Sequence, residues 1–251
     1  MMIKRKILLI GHSHILCILD AFSNTFKNVI DLDYLCLHKD KMNGNEDNFP
    51  VYLSHAVNDL RVAGDGRSYA LVVACLGGNA HNTLGLIKMN PPFDFVLSSR
   101  EFLEIEAGAF LVPERIVRDV IKFRCVPSFI GLAAIKALLG EQVVCIESPP
   151  PIGDDEHVKE YLEKHFIKFF PENRQIVTAT LRYKLWRAAS EIYSEHCLKL
   201  EIPYVNCPES AMIDGMYLAR SGYPKNVTHG NRWYGERVLE NIIEKFLDKH
   251  T

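Results

Sequence analysis

A serine, an asparagine and a histidine, each within two residues of a glycine and each flanking a candidate regular element, mark three places where chemistry can be built in this chain. Gly11-His12-Ser13-His14 follows the apolar run Ile7 to Ile10, and Gly77-Gly78-Asn79-Ala80-His81-Asn82 follows the run Ala70 to Leu76. Asn226-Val227-Thr228-His229-Gly230-Asn231 precedes a helical pattern over Arg232 to Lys249. Together they hold the parts of an acyl-transfer site. Ser13 would open a helix directly after a strand, where backbone N–H groups favour an anion. A serine hydroxyl is a poor nucleophile until a base takes its proton, and His229 is the candidate base. The Ser13 N–H and the Asn79 side-chain amide suit the oxyanion of a tetrahedral intermediate, where one lost donor costs about 2.7–4 kcal/mol. His14, Gly78 and Asn82 are candidates for lining the same pocket.

Each of these residues also has a plainer reading. Serine is a preferred helix N-cap, so Ser13 can simply cap, and Asn79 can cap the helix after its strand. His12, His14 and His81 read as surface or supporting residues rather than metal ligands, with His14 the one placed to line a pocket. Gly11-His12-Ser13-His14 faintly resembles the Gly-His-x-His element of calcineurin-like phosphoesterases. A dinuclear site also needs carboxylate and bridging ligands, and that family's Asp-x-His opening is absent. No metal is therefore expected, and a metal-dependent phosphoesterase stands only as a further alternative. No Gly-rich phosphate loop occurs, so no nucleotide cofactor is implied.

The elements that must carry these residues alternate. Short β-rich apolar runs separate longer helical patterns, which argues for parallel strands joined by helical crossovers. Strands are expected at Ile7–Ile10, Val29–Leu37, Ala70–Leu76, Gln142–Ile146 and Ile202–Asn206. Helical patterns cover His14–Phe26, with Leu16, Leu19 and Phe26 as apolar positions, then Asp155–Phe169, Thr178–Leu200 and the last stretch. Lys39 to Asn48 reads as a polar loop. The long stretch between the third and fourth strands reads as an insertion that shapes or covers a pocket. It holds an extended segment, Phe93–Leu97, and a helical pattern, Pro113–Leu139, broken near Pro127. In an open parallel sheet, ligands bind beyond the carboxyl ends of the strands. That rule sets Ser13 and Asn79 on one edge, within reach of His229.

Composition bounds the rest. The chain has 251 residues, 48% hydrophobic and 24% charged, enough for a full core and far from disordered or fibrous sequences. No linker or repeat divides it, so one domain over residues 1–251 is expected. A net charge of −2 with no basic stripe argues against nucleic acid as a partner. Lys4-Arg5-Lys6 is too short a run to hold an anionic membrane, and the apolar run after it is too short for a secretory signal. The seven cysteines are scattered, with no C-x-x-C pair, and most lie in apolar runs. That pattern fits reduced, buried thiols in a cytoplasmic protein.

The three clusters resemble the blocks of the SGNH (GDSL-type) hydrolase superfamily, which comprises esterases, lipases and carbohydrate O-deacetylases. Gly11-His12-Ser13 matches the first block, Gly77-Gly78-Asn79 the third, and Asn226-Val227-Thr228-His229 the last; the resemblance spans nearly the whole chain. It implies a flavodoxin-like three-layer α/β/α fold with a mainly parallel five-stranded sheet in the order 2-1-3-4-5. It also implies serine-dependent hydrolysis of a small acyl ester, with an O-acetyl group on a carbohydrate as the expected substrate. An acyltransferase or a catalytically degenerate binding protein is the alternative on the same fold. The departures are specific. Ala80 stands where Asp is common, and His12 replaces the acid of the first block. The oxyanion glycine of the second block has two candidates, Gly44 and Gly64. Asn226 occupies the place of the acid that orients the histidine. An asparagine carbonyl can accept the histidine N–H, as in Cys-His-Asn proteases, but supplies no charge. Asp214 is a candidate substitute for the missing acid.

Overall fold

The computed structural model describes residues 4–37, 49–63, 68–77, 80–162, 164, 166 and 175–248. In chain order the strands are β1 (Arg5–Gly11), β2 (Ile30–Cys36), β3 (Leu71–Cys75), β4 (Phe93–Asp94), β5 (Phe110–Leu111), β6 (Val143–Ile146), β7 (Tyr204–Val205), β8 (Met212–Ile213) and β9 (Tyr217–Leu218). The helices are α1 (Ile15–Ala21), α2 (Phe49–Ala63), α3 (Asn82–Gly85), α4 (Glu114–Leu139), α5 (Asp155–Tyr161), α6 (Ala179–Lys199) and α7 (Arg232–Ile242).

Five parallel strands form the main sheet in the order β2-β1-β3-β6-β7. With β4 and β5 paired apart, this is the expected 2-1-3-4-5 order. Ile7 pairs with Leu71, and Val73 with Val144. The central strands alternate between two apolar layers. Leu8, Ile10, Val72, Ala74, Val143 and Cys145 face the layer with α2, α4 and α6. Ile7, Leu9, Leu71, Val73, Val144 and Ile146 face the layer with α1, α5 and α7. Burial on both faces is why these strands read as unbroken apolar runs.

Several expectations need correction. Leu16 is exposed, and Ile15, Ile18 and Ala21 bury α1 instead. The helix itself ends at Ala21, and a π turn carries the chain on to Phe26. A helix, α2, follows the polar loop Lys39 to Asn48, which lies outside the described residues. α4 runs through Pro127 without a break. Proline costs about 3 kcal/mol inside a helix, while each fully buried aliphatic side chain contributes about 1.5–3 kcal/mol. Val117, Ile121, Leu132 and Ile135 all bury on this helix, so burial wins. The Ser128 hydroxyl, just past the proline, donates to the Leu76 carbonyl at 3.0 Å. α5 stops at Tyr161, well before Phe169, which lies outside the described residues.

The insertion between β3 and β6 is built into the core. Phe95 and Leu97 join the layer under α4 and α6. Lys184 of α6, 0% exposed, donates from Nζ to Asp94 Oδ1 at 2.9 Å, where Asp94 is 1% exposed. The same ammonium donates to the Glu104 carbonyl at 2.8 Å. Asp94 in turn accepts the backbone N–H groups of Phe95 at 2.7 Å and Glu106 at 2.8 Å. A buried ion pair is tolerated where further hydrogen bonds satisfy both charges, and here they do.

Candidate active site

β1 ends at Gly11, where the chain passes so close to the next strand that a Cβ would overlap the Cys75 carbonyl oxygen and the Ile15 side chain. Only glycine fits this approach. The chain then turns through His12, Ser13 and His14 into α1. The N-cap position of α1 is His14, with no side-chain cap bond. Ser13 is therefore not the cap residue. Its Oγ instead lies 2.7 Å from His229 Nε2.

His229 reaches Ser13 because α7 packs tightly on α1. A Cβ at Gly235 would overlap the Cys17 carbonyl of α1, so glycine sets the spacing of the two helices. Asn231 caps α7 by accepting the Tyr234 N–H at 3.3 Å. Its amide also donates to the Ser221 and Tyr223 carbonyls at 2.8 and 3.0 Å. Those bonds fix the preceding loop at both ends.

Inside that loop Asn226 organises the histidine. Asn226 Oδ1 accepts the backbone N–H groups of Thr228 at 3.2 Å and His229 at 3.1 Å. An amide nitrogen in that place would meet two donors, so the oxygen is the atom that faces His229. His229 Nδ1 lies 3.0 Å from the same oxygen. The network thus assigns the proton to Nδ1 and leaves the Nε2 lone pair toward the Ser13 hydroxyl. Thr228 Oγ1 lies 2.8 Å from Nδ1 as a second neutral neighbour. The buried ring of His14 packs against His229, with ring centroids 4.6 Å apart. The arrangement can pass a proton from Ser13 to a histidine oriented by neutral groups.

The other sequence candidates are placed as follows. Asn79, Gly78, Gly44 and Gly64 lie outside the described residues. Asn82 begins α3 and is buried. His81 is buried rather than at the surface, and burial pushes its imidazole down to about 3, so it stays neutral at ordinary pH. His14 is likewise buried, and His12 is half-buried. Asp214 sits in the turn between β8 and β9 with φ 54°; among the described residues, Asn226 and Thr228 lie at His229 Nδ1. All seven cysteines are free, and burial raises the thiols of Cys17, Cys75 and Cys207. Among the described residues, no three His, Cys, Asp or Glu side chains lie together as a metal-binding group. No helix among them is long and apolar enough to cross a membrane.

Two residues escaped the sequence reading. Thr228 was visible only as a spacer between Asn226 and His229. Glu147, at the carboxyl end of β6, is buried; it accepts the Ser190 hydroxyl and, at 2.6 Å, the Cys207 N–H. Burial raises its carboxyl, with those two hydrogen bonds opposing the shift. Its position just before Ser148-Pro149-Pro150 was the only signal.

No family model matches the sequence, and no curated protein is similar to it in sequence. Solved structures are similar in fold. The periplasmic domain of a Salmonella ser. Paratyphi A lipopolysaccharide acetyltransferase superposes with a TM-score of 0.53 at 11% identity, covering 98% of this chain and 84% of that one. A Streptococcus pneumonia protein assigned provisionally as a platelet activating factor gives 0.50 at 11% identity, covering 97% and 85%. A GDSL-like lipase from Bacteroides thetaiotaomicron gives 0.47 at 15% identity, covering 98% and 89%. The likeness is one of fold: this chain shares the three-layer α/β architecture of the acetyltransferase periplasmic domain.

Proposed function

We propose that this protein cleaves a small acyl ester through Ser13, with His229 as base and Asn226 as the neutral group that orients it. The observation that carries the reading is the 2.7 Å approach of His229 Nε2 to Ser13 Oγ, with Asn226 Oδ1 on the opposite ring nitrogen. Attack of Oγ on the ester carbonyl transfers the hydroxyl proton to Nε2 and forms a tetrahedral intermediate. Collapse expels the alcohol, which takes the proton back from Nε2, and leaves acyl-Ser13. Water then repeats the sequence, giving up its proton to Nε2 and releasing the acid and the free serine. The Ser13 N–H and Asn79 are the donors assigned to the oxyanion.

An O-acetyl group on a carbohydrate is the substrate class adopted. A lipopolysaccharide acetyltransferase domain shares the fold. That substrate assignment is by analogy of fold.

Fluorophosphonate labelling followed by intact-mass measurement tests the reading. One adduct on the parent protein and none on a folded Ser13→Ala variant is the expected result. Equal turnover of acetyl esters by the parent and Ser13→Ala would remove it.

A further inference from the structure

We propose that His157, on α5, is a positioning residue of the site: it clamps the loop that carries Asn226 and His229, and so keeps His229 in its Nδ1–H form. The inference rests on the reading of Ser13 and His229 given above and adds to it a residue far from those blocks in sequence. His157 Nε2 lies 3.0 Å from the Pro224 carbonyl oxygen. A carbonyl oxygen only accepts, so Nε2 carries a proton and donates it. Pro224 stands just before Lys225 and Asn226, and the Asn226 side-chain oxygen faces His229 Nδ1 at 3.0 Å.

The loop needs a tie from outside. Asn226 Oδ1 bonds Thr228 N, His229 N and His229 Nδ1, all within the loop, so these bonds would travel with it if it moved. Asn231 closes the loop on itself through the Ser221, Gly222 and Tyr223 carbonyls. Neither set places His229 relative to Ser13 on the other side of the site. The bond from His157 joins this unit to a separate element.

α5 is itself held firmly enough to serve. Asp154 caps it by accepting the N–H groups of Glu156 at 3.0 Å and His157 at 3.1 Å. The imidazole packs against Tyr161 of α5, ring centroids 4.6 Å apart, and against Tyr223 of the loop, 4.8 Å apart. The segment from β6 to α5 contains Pro149-Pro150-Pro151, whose φ angles are fixed by their rings. Its carbonyls are pinned as well. Ser148 accepts from Trp186 Nε1 at 3.2 Å, Pro151 from the Leu218 N–H at 3.0 Å, and Ile152 from Arg182 Nη2 at 3.0 Å. Arg182 also pairs with Asp155 at 2.7 Å. The proline run is thus a stiff bracket that carries His157 from the end of β6 to the His229 loop.

Two substitutions separate the donor from the ring. His157→Phe keeps an aromatic ring between the tyrosines and removes the N–H. Its melting temperature should fall by about 2–4 °C at most, the equivalent of one hydrogen bond. Fluorophosphonate labelling of Ser13, measured where the variant is folded, should slow about tenfold or more, because a misplacement of about 1 Å costs on the order of 100-fold. His157→Gln returns an N–H at about the reach of Nε2 and should restore most of the rate. The His229 tautomer, read by long-range proton–nitrogen correlation NMR, should be the Nδ1–H form in the parent and His157→Gln and a mixture in His157→Phe. Labelling and tautomer unchanged in His157→Phe would overturn the proposal. Equal loss in both variants would overturn it too, since packing alone would explain that. A parent that takes no label removes the Ser13 reading but leaves the tautomer comparison to decide: loss in His157→Phe with return in His157→Gln upholds the clamp, and no change overturns it.

Discussion

Asn226 presents its side-chain carbonyl, not its amide, to His229 Nδ1 at 3.0 Å. The backbone N–H groups of Thr228 and His229 leave no other orientation. Asparagine here supplies the tautomer without the charge. On the proposed reading, Asn226→Asp keeps the oxygen and adds the charge that stabilises the imidazolium. It should raise kcat, about tenfold or more, within the roughly 10⁴-fold span known for the reverse change in a serine protease. Steady-state hydrolysis of a small acetyl ester measures this, and a fall in kcat on a folded variant would count against Asn226 as the orienting group.

Thr228 shares Nδ1 with Asn226 at 2.8 Å. Thr228→Val keeps the shape and removes the hydroxyl, and kcat should drop about tenfold, the equivalent of one hydrogen bond. Thr228→Ser should restore most of it. A ratio near one for Val against Ser would assign the threonine to packing alone.

The spacing of α1 and α7 can be tested away from the reacting atoms. Gly235→Ala would drive a methyl into the Cys17 carbonyl, at a cost of about 1–3 kcal/mol. The melting temperature should fall. Because α7 carries the His229 loop, fluorophosphonate labelling should slow as well, measured at a temperature where the variant is still folded.

Glu147 gives a pH signature. Burial raises its carboxyl above the ordinary 4.5, so the folded state favours the protonated form. The sign follows from linkage: stability is fully present below 4.5 and is lost as pH rises through the raised folded value. Glu147→Gln removes that loss while leaving an oxygen for the Cys207 N–H. The variant should match or exceed the parent in melting temperature at neutral pH, and its advantage should shrink as pH falls toward 4.5. An advantage that grows on acidification reverses the assignment.

What could be read from the chain divides by range. The strands of the main sheet were legible because β1, β3 and β6 are buried on both faces and so appear as continuous apolar runs; their order was implied by the family resemblance alone. The pairing of Ser13 with His229 was legible because each stands at the end of a strand or the start of a helix. The course of α4 was not. Local propensity at Pro127 argues for a break, and only the burial of Val117 to Ile135 against other elements outweighs it. Leu16 misled for the same reason, since its exposure is set by where α7 lies. The Lys184–Asp94 and Glu147–Ser190 contacts join residues 90 and 43 positions apart, and such partners leave no periodic trace. The oxyanion glycine of the second block stays unassigned, because both of its candidates lie outside the described residues.

Lys184 and Asp94 also set how the protein can open. Lifting the segment around β4 and β5 away from α6 would strand an ammonium in apolar surroundings and release the amides of Phe95 and Glu106 together. That step costs several kcal/mol, more than the fraying of an ordinary surface excursion. In hydrogen–deuterium exchange these two amides should therefore open in the same cooperative unit as α6 and at its rate. The insertion belongs to the slow-exchanging framework of the molecule, so access to Ser13 cannot depend on its swinging free.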